Sequence, residues 1–281
     1  MGLRIQNNVE ALNTHRQLSH TSMAASKAME KLSSGYRINR AADDAAGLAI
    51  SEKMRGQIGG LAQAQRNAQD GISLVQTAEG ALGEVHSMLQ RIRDLRVQFG
   101  NDTLSTDDRA AIRSEATALA SEIVAIRDKT QFNGLDLLDG TPASLNFQVG
   151  ANDGEVVSVT TGSISAAAGM TEVVNTTAGT GTYASDANFT LLTLTDIDTA
   201  INEISSRRSE FGAVQNRLEH RLANLATYQE NLTASESRIR DVDMAKEMTN
   251  FTKLNILQQA GTSMLAQANQ APQNILSLLR Q

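Results

Sequence analysis

Residues 196–239 read DIDTAINEISSRRSEFGAVQNRLEHRLANLATYQENLTASESRI, a run in which apolar side chains follow a seven-residue repeat. The apolar positions are Ile197, Ile201, Ile204, Phe211, Leu218, Leu222, Leu225, Leu232 and Ile239. Where the repeat would place a further apolar residue, four seam positions are polar instead: Arg208, Gln215, Gln229 and Glu236. Spacing of this kind, kept over about six heptads, is typical of a coiled-coil seam rather than of a helix in a compact domain. The run therefore predicts a long helix, with Asp196 as its N-cap, that packs lengthwise against other helices.

Two further helices are predicted upstream of this run. The shorter one carries a stripe at Ile112, Ala116, Leu119, Ile123 and Ile126, and Ser105 with Asp108 precedes it as a capping box. The longer one carries its stripe at Ile72, Val75, Leu82, Val85, Leu89, Ile92 and Phe99 and begins near Asp43 or Asp44. A helix from there to Phe99 has about 55 residues and spans roughly 80 Å. Such a rod suits a bundle of long helices.

The composition changes between residues 141 and 195, where Thr, Ser, Gly and Ala dominate. Segments 145–149 and 155–160 contain strand-forming residues, and the turn sequence GANDG at 150–154 separates them. This arrangement predicts a β-hairpin. The residues that follow, 165–187, are polar and are expected to form a short variable surface segment.

Both ends of the chain carry amphipathic stripes of their own. The first begins with Ile5, Val9 and Leu12 and resumes after a phase shift with Leu18, Ala25, Met29 and Leu32. The second follows Leu254, Leu257, Gly261, Met264, Ala268, Ala271, Ile275 and Leu278. Pro272 lies within the second stripe, where it is expected to bend the helix or to begin a final short one.

The terminal stripes are too weak to fold alone. Ordering the last ~40 residues costs about 1–2 kcal/mol per residue in backbone entropy. Each large apolar side chain on the stripe returns at most about 1.5–3 kcal/mol on burial. The alternative is that both stripes belong to one bundle within the chain, since tertiary packing explains most amphipathic helices. Their position at the extreme ends, beyond the polar break at 33–44, favours pairing with each other and packing against further copies of the chain.

Composition narrows the class of protein. Aromatic residues make up 3% of the 281 residues, Trp and Cys are absent, and the formal net charge is −6. A negative charge disfavours nucleic acid or an anionic membrane as a partner. The first residues, MGLRIQNN, lack the apolar run of a secretory signal peptide, and no stretch approaches the ~18 apolar residues of a transmembrane helix. Both a cytosolic location and export by a non-cleaving route remain open.

The sequence offers no constellation for catalysis, cofactor binding or metal binding. His15 and His20 are five residues apart, which does not match the spacing of helical metal ligands. The acidic pair Asp43 and Asp44 precedes a helix, where carboxylates cap free backbone N–H groups. We therefore expect a protein that is not an enzyme.

Five motifs resemble those of bacterial flagellin. They are LSSGYRINRAADDAAGLAI at 32–50, QFNG at 131–134, FQVGAN at 147–152, ESRIRDVDMAKE at 236–247 and LAQANQAPQNILSLL at 265–279. The motifs are long, keep their order and extend over both ends of the chain. The nearest rival readings are a hook-associated protein of the hook–filament junction, which shares the terminal pattern, and a helical adhesin.

The resemblance implies a mainly α chain with a small β element, built as an elongated, coiled-coil-like bundle of long helices whose N- and C-terminal helices pair. Residues 1–44 and 241–281 would form the filament core, residues 45–164 and 188–240 a long-helix rod with the β-hairpin, and residues 165–187 the variable surface. The expected polymerisation core comprises Ile5, Val9, Leu12, Leu18, Met29, Leu32, Leu254, Leu257, Met264, Ala268, Ile275 and Leu278.

The resemblance also implies partners and a location. The chain would leave the cell unfolded through the flagellar type III channel and polymerise outside it, beneath a cap protein, into a filament joined to hook-associated proteins. A cytosolic export chaperone would bind its C-terminal segment. Residues 90–98, QRIRDLRVQ, resemble the flagellin segment that a host Toll-like receptor detects, with Arg91, Leu95 and Glu115 as contact positions. Asp94 and Arg96 depart from the usual Glu and Ala.

Overall fold

The computed structural model describes residues 8–164, 170, 173, 189 and 191–279, without the side chains of 271–279. Its helices are α1 (Val9–Ser34), α2 (Ala45–Phe99), α3 (Thr106–Lys129), α4 (Leu194–Arg240) and α5 (Met244–Leu279). Its strands are β1 (Gln131–Phe132), β2 (Leu135–Asp136), β3 (Ser144–Gln148) and β4 (Val156–Thr160). The predicted fold class, mainly α with a small β element, is confirmed. Ile5, one of the predicted core residues, lies outside the described residues. Of the predicted surface segment 165–187, only residues 170 and 173 are described.

The chain divides into two compact units. The terminal unit comprises Met1–Gly56 and Asn231–Gln281, and the central unit comprises Gln57–Glu230. The divisions fall within α2 and α4, so each of these helices contributes residues to both units.

The core of the central unit lies where α2, α3 and α4 pack together. Each helix contributes a buried stripe at the predicted spacing, and the three stripes join in one apolar cluster. Its members include Val75, Leu82, Val85, Leu89 and Ile92 of α2, Ile112, Ala116 and Ile123 of α3, and Ile197, Ile204 and Phe211 of α4. Helix α2 has 55 residues, the length expected from its sequence. The predicted rod helices and their seams are therefore confirmed in this unit.

The start of α4 differs from the prediction. The backbone N–H of Asp196 donates to the hydroxyl of Thr193 at 3.2 Å, and the N–H of Thr193 donates back to the Asp196 carboxylate at 3.0 Å. This is a capping box in which Thr193 is the N-cap, so the prediction of Asp196 as N-cap was wrong. The predicted box of Ser105 and Asp108 before α3 is confirmed.

The predicted hairpin is confirmed as β3 and β4, which pair antiparallel from Ser144 opposite Thr160 to Gln148 opposite Val156. Alternate side chains, Val157 and Val159, are buried because successive residues of a strand face opposite sides. Phe147 of β3 packs against α2 at Gly71, where an added Cβ would lie 3.3 Å from the Phe147 ring.

A second, two-stranded hairpin was not predicted. Strands β1 and β2 pair through Phe132 and Leu135, and Asn133 and Gly134 form the loop with φ of 51° and 77°. Positive φ at both loop residues is the geometry that an Asn-Gly pair favours in tight hairpins. The signal was present in the sequence, but the flanking runs are too short to read as strands.

The last helix was expected to bend at Pro272 or to give way there to a final short helix. Helix α5 continues through Pro272 to Leu279, so no separate short helix begins there. Among the described residues, no helix is both long enough and apolar enough to cross a bilayer.

Candidate assembly surface of the terminal unit

Helices α1 and α5 pair in the terminal unit, and they run antiparallel. At one end of the pair, the side-chain amide of Asn8 donates to the carbonyl oxygen of Ala268 at 2.7 Å. At the other end, the N–H of Val242 donates to the carbonyl oxygen of Gly35 at 3.0 Å. The predicted pairing of N- and C-terminal helices is thereby confirmed.

The contact face of this pair repeats every three or four residues and is built largely from small or polar side chains. Among the less exposed positions of α1, those at this spacing are Ala11, Thr14, Leu18, Thr21, Ala25, Ala28 and Leu32. On α5 they are Glu247, Phe251, Leu254, Gln258, Gly261, Leu265 and Ala268. Small residues let two backbones approach closely. Sequence reasoning that followed large apolar residues found only part of this face, because Thr, Ala and Gly carry little hydrophobic signal.

The predicted polymerisation-core residues divide into two groups. Leu18, Leu32 and Leu254 are half-buried and Ala268 is buried, all on the face that pairs α1 with α5. Val9, Leu12, Met29, Leu257 and Met264 lie outside that face and are 46–68% exposed. Ile5 and the side chains of Ile275 and Leu278 are outside the described residues.

The terminal unit exposes further large apolar side chains, which were not predicted to belong to the polymerisation core. They are Met23, Tyr36, Ile50, Met244, Met248 and Ile256. Single exposed apolar residues are ordinary on a protein surface, but this number on one unit, most of them on the two paired helices, is typical of an interaction surface. The only signal for them in the sequence was their apolar character, since they fall off the predicted stripes.

The predicted break between α1 and α2 is an ordered connector, residues 35–44. Gly35 ends α1 in the left-handed conformation, with φ of 75°, which glycine adopts without steric cost. Tyr36 forms a β-bridge with Asp241, and the N–H of Arg37 donates to the carbonyl oxygen of Arg240 at 2.6 Å. Ile38 is buried, with 1% of its surface exposed. The connector is therefore held against the junction of α4 and α5.

Arg240 joins three parts of the terminal unit. Its guanidinium lies 4.8 Å from the centre of the Tyr36 ring and donates to the Glu52 carboxylate at 2.6 Å. The hydrogen bond from Arg240 is the main cause that holds the pKa of Glu52 below its ordinary value. The arginine side chain is 13% exposed. It therefore links the connector, α2 and the end of α4.

The acidic pair at the start of α2 has structural partners. The Asp44 carboxylate accepts from the N–H of Gly47 at 2.9 Å, which confirms its predicted capping role. The Asp43 carboxylate accepts from the N–H of Arg40 at 3.1 Å and from Lys27 at 3.3 Å. The backbone donor of Arg40 is the main cause that lowers the pKa of Asp43. Both carboxylates thus stabilise the connector and the helix start.

The predicted receptor-contact residues lie on neighbouring helices of the central unit. Arg91 of α2 donates to Glu115 of α3 at 2.7 Å, and both side chains are exposed. Leu95 is 1% exposed and belongs to the apolar core. Arg91 and Glu115 therefore form a surface ion pair, and Leu95 packs inside the helix bundle.

Groups of His, Asp and Glu that could hold a metal ion do not occur in the part of the chain that the structure describes. His15 and His20 are both exposed on α1. What the terminal unit offers is a paired-helix surface rich in exposed apolar side chains, which is suited to association between chains.

Comparisons with known proteins agree with a role of the terminal unit in association between chains. The model of the bacterial flagellin N-terminal helical region matches residues 5–143, and that of the C-terminal helical region matches residues 194–279. A flagellin from Bacillus subtilis (strain 168) is 53% identical over 311 residues, which cover 99% of this chain and 100% of the relative. A flagellin from Halalkalibacterium halodurans is 54% identical over 276 residues, which cover 98% of this chain and 99% of the relative.

One solved structure shows the same fold at low sequence identity. A protein described as flagellar hook-associated, from Vibrio parahaemolyticus, matches with a TM-score of 0.59 and 15% identity. The match covers 71% of this chain and 100% of that one, and it bears on the fold alone.

The paired terminal helices and the matched regions define a helical protein of a structural, self-assembling class, and the chain belongs to the bacterial flagellin family. It is a structural subunit that polymerises into the flagellar filament, the extracellular appendage used for swimming. Relatives at this identity and coverage do not favour the hook-associated or adhesin alternatives.

Proposed function

We propose that α1 and α5 form the inner core of the filament and that neighbouring copies of the chain bury the apolar side chains that this pair leaves exposed. The observation that carries the proposal is the exposure of Val9, Leu12, Met29, Leu257 and Met264 outside the face that pairs the two helices. Burying each of them would contribute about 1.5–3 kcal/mol at most. That gain adds to the helical hydrogen bonds and to the contacts between α1 and α5, and together they offset the cost of ordering the two helices.

The proposed division of the chain follows from this role. Residues 1–44 and 241–281 form the filament core, residues 45–164 and 188–240 form the surrounding layer of long helices, and residues 165–187 form the outer surface. The layer is supported by the continuous apolar cluster of α2, α3 and α4. It keeps its own core whether or not the terminal helices are assembled.

The proposed route to the filament is export in an unfolded state through the flagellar type III channel. The absence of Cys and the small-residue contact between α1 and α5 support it, because no disulfide resists unfolding and the terminal helices share little apolar area. The partners on this route are an export chaperone at the C-terminal segment, the cap protein and the hook-associated proteins.

A host Toll-like receptor is a further proposed partner, through Arg91, Leu95 and Glu115. The support for it is the exposed pair of Arg91 and Glu115 on adjacent helices. Leu95 would act by holding α2 in place beneath them, since its side chain is in the core.

Polymerisation of purified variants tests the role of the terminal pair. Leu12→Gln and Met264→Gln are expected to raise the critical concentration for filament formation about tenfold or more, since each places a polar amide in a buried contact. Electron microscopy and light scattering measure the outcome. Leu191→Gln is the matched control, since Leu191 is 72% exposed and Leu12 is 68% exposed, but Leu191 lies in the central unit. Equal polymerisation of all three variants would refute the proposal.

A further inference from the structure

The methionines of the chain are unevenly distributed over the structure. Five of them, on α1 and α5, are 47–56% exposed: Met23, Met29, Met244, Met248 and Met264. In contrast, Met170 in the central unit is fully buried, and Met54 and Met88 are half-buried. The accessible thioethers of the described residues are thus concentrated on the helices that we assign to the filament core.

We propose that these five methionines are sulfoxidation sites in the free subunit, and that their oxidation blocks polymerisation. The inference rests on the proposed burial of the terminal pair between copies of the chain. The oxidant is a peroxide such as hydrogen peroxide. A lone pair of the thioether sulfur attacks one peroxide oxygen, an S–O bond forms as the O–O bond breaks, and the other oxygen leaves as water after proton transfer. The sulfur is oxidised by two electrons and the peroxide is reduced by two.

The position of the five side chains determines which state is oxidised. In the free subunit a peroxide reaches them from solvent, and the chain contains no cysteine thiol that would react first. In the filament the same side chains are covered by neighbouring subunits. Oxidation therefore acts before assembly and spares the finished filament.

The five side chains also determine what oxidation does. None of them lies on the face that pairs α1 with α5, so the subunit keeps its fold when they are oxidised. A sulfoxide adds a strong hydrogen-bond acceptor to an apolar side chain, and burying it without a donor is costly. The flexible, unbranched methionine side chain fits closely between neighbours only while it is apolar.

Peptide mass spectrometry after treatment with dilute hydrogen peroxide tests the first half of the proposal. In free subunits we expect the five exposed methionines to be oxidised before Met170, Met54 and Met88. In preformed filaments we expect all five to be protected. Oxidation of Met170 as fast as that of Met264 in the free subunit, or equal oxidation of the five in both states, would overturn the inference.

Two combined variants test the second half. Replacement of all five by Leu keeps the surface apolar and removes the sulfur, and replacement of all five by Gln imitates the polarity of the sulfoxide. After peroxide treatment we expect the unmodified protein to need about a tenfold higher concentration to polymerise, and the Leu variant to be unaffected. Enzymatic reduction of the sulfoxides is expected to restore polymerisation.

The outcomes distinguish this inference from the proposed function. If the Gln variant fails to polymerise but the oxidised protein polymerises normally, the inference is wrong and the burial of these side chains stands. If the Gln variant polymerises as well as the unmodified protein, burial itself is wrong and the inference falls with it. Loss of polymerisation by the peroxide-treated Leu variant would also overturn the inference.

Discussion

Gly261 of α5 faces Leu18 of α1 so closely that a Cβ added to the glycine would lie 3.2 Å from Cδ1 of the leucine. The two residues come from opposite ends of the chain, and their contact sets the spacing of the terminal helix pair. The absence of a side chain at Gly261 lets the α5 backbone approach α1. The stability of the pair therefore depends on close approach as well as on apolar area.

Enlarging Gly261 is expected to separate the terminal helices. Gly261→Leu should destabilise the pair by about 1–3 kcal/mol through overpacking and abolish filament formation. Gly261→Ala should be nearly neutral, because the gain in helix propensity of about 1 kcal/mol offsets a contact that Leu18 can relieve by moving. Gly56→Leu is the control, since no described atom lies within 4 Å of an added Cβ there. Hydrogen exchange of α1 and electron microscopy measure the effects, and a filament-forming Gly261→Leu variant would contradict the expectation.

Removing the Arg240 side chain is expected to loosen the connector. Arg240→Ala eliminates the contact with the Tyr36 ring, a cation–π interaction worth about 1–2 kcal/mol at a largely shielded site, together with the bond to Glu52. Faster hydrogen exchange at residues 35–44 is the expected result. Arg238→Ala is the control, because Arg238 is exposed and bonds only locally, to Ser235, among the bonds described. Equal exchange in both variants would show that Arg240 does not hold the connector.

Acid is expected to weaken the terminal unit through Glu52 and Asp43. In the folded unit the pKa of Glu52 is lower than its ordinary value of 4.5, and the pKa of Asp43 is lower than its ordinary value of 3.8. Because the folded state favours the charged form, this stability is fully present above the ordinary values and is lost as the pH falls through the lowered ones. Thermal unfolding followed from pH 7 to pH 3 should therefore show decreasing stability below about pH 4.5.

The Glu52→Gln variant serves to assign that acid dependence. It is expected to be less stable at pH 7 and to lose less stability on acidification. Glu236→Gln controls for the general loss of a negative charge on the same unit. An unchanged acid profile in Glu52→Gln would assign the dependence to other groups.

Limited proteolysis of the free subunit is expected to remove the terminal helices first. The buried side chains of α1 are Thr21, Ala25 and Ala28, which contribute little apolar burial, whereas α2, α3 and α4 share a continuous apolar core. About 40–60 residues at each end should be cut rapidly while the central unit resists. Mass spectrometry of the fragments gives the boundaries. Uniform resistance along the chain would contradict the expectation and would mean that the terminal pair is stable without neighbours.

The regular spacing of apolar residues along the sequence allowed most of the fold to be predicted. The bounds of α2, the buried stripe of α4 at Ile197, Ile204 and Phe211, and the pairing of β3 with β4 all follow from spacing and turn residues. One error was local. Thr193 rather than Asp196 caps α4, since a reciprocal box shifts the cap three residues upstream. Of the two outcomes expected at Pro272, a new short helix does not occur, because proline costs one backbone bond and not the whole helix.

The candidate assembly surface was harder to predict. Its apolar residues were recognisable, but the choice between those that pair α1 with α5 and those that remain exposed was not. Met29 and Leu257 belong to the predicted apolar stripes and are exposed, whereas Thr21 and Ala28 do not belong to them and are buried. Hydrophobic spacing identifies an apolar stripe without identifying its partner.

Local spacing and turn chemistry suffice to specify the long helices, their seams in the central unit and the hairpin, because each depends on residues within a few turns of one another. The face on which α1 meets α5 depends instead on segments far apart in the chain, such as Asn8 and Ala268, 260 residues apart. Those segments meet only in the folded chain, and backbone approach at small residues such as Gly261 selects the face. Which apolar side chains are left for a neighbouring subunit is therefore a property of the packed pair, since it depends on the distance between two backbones.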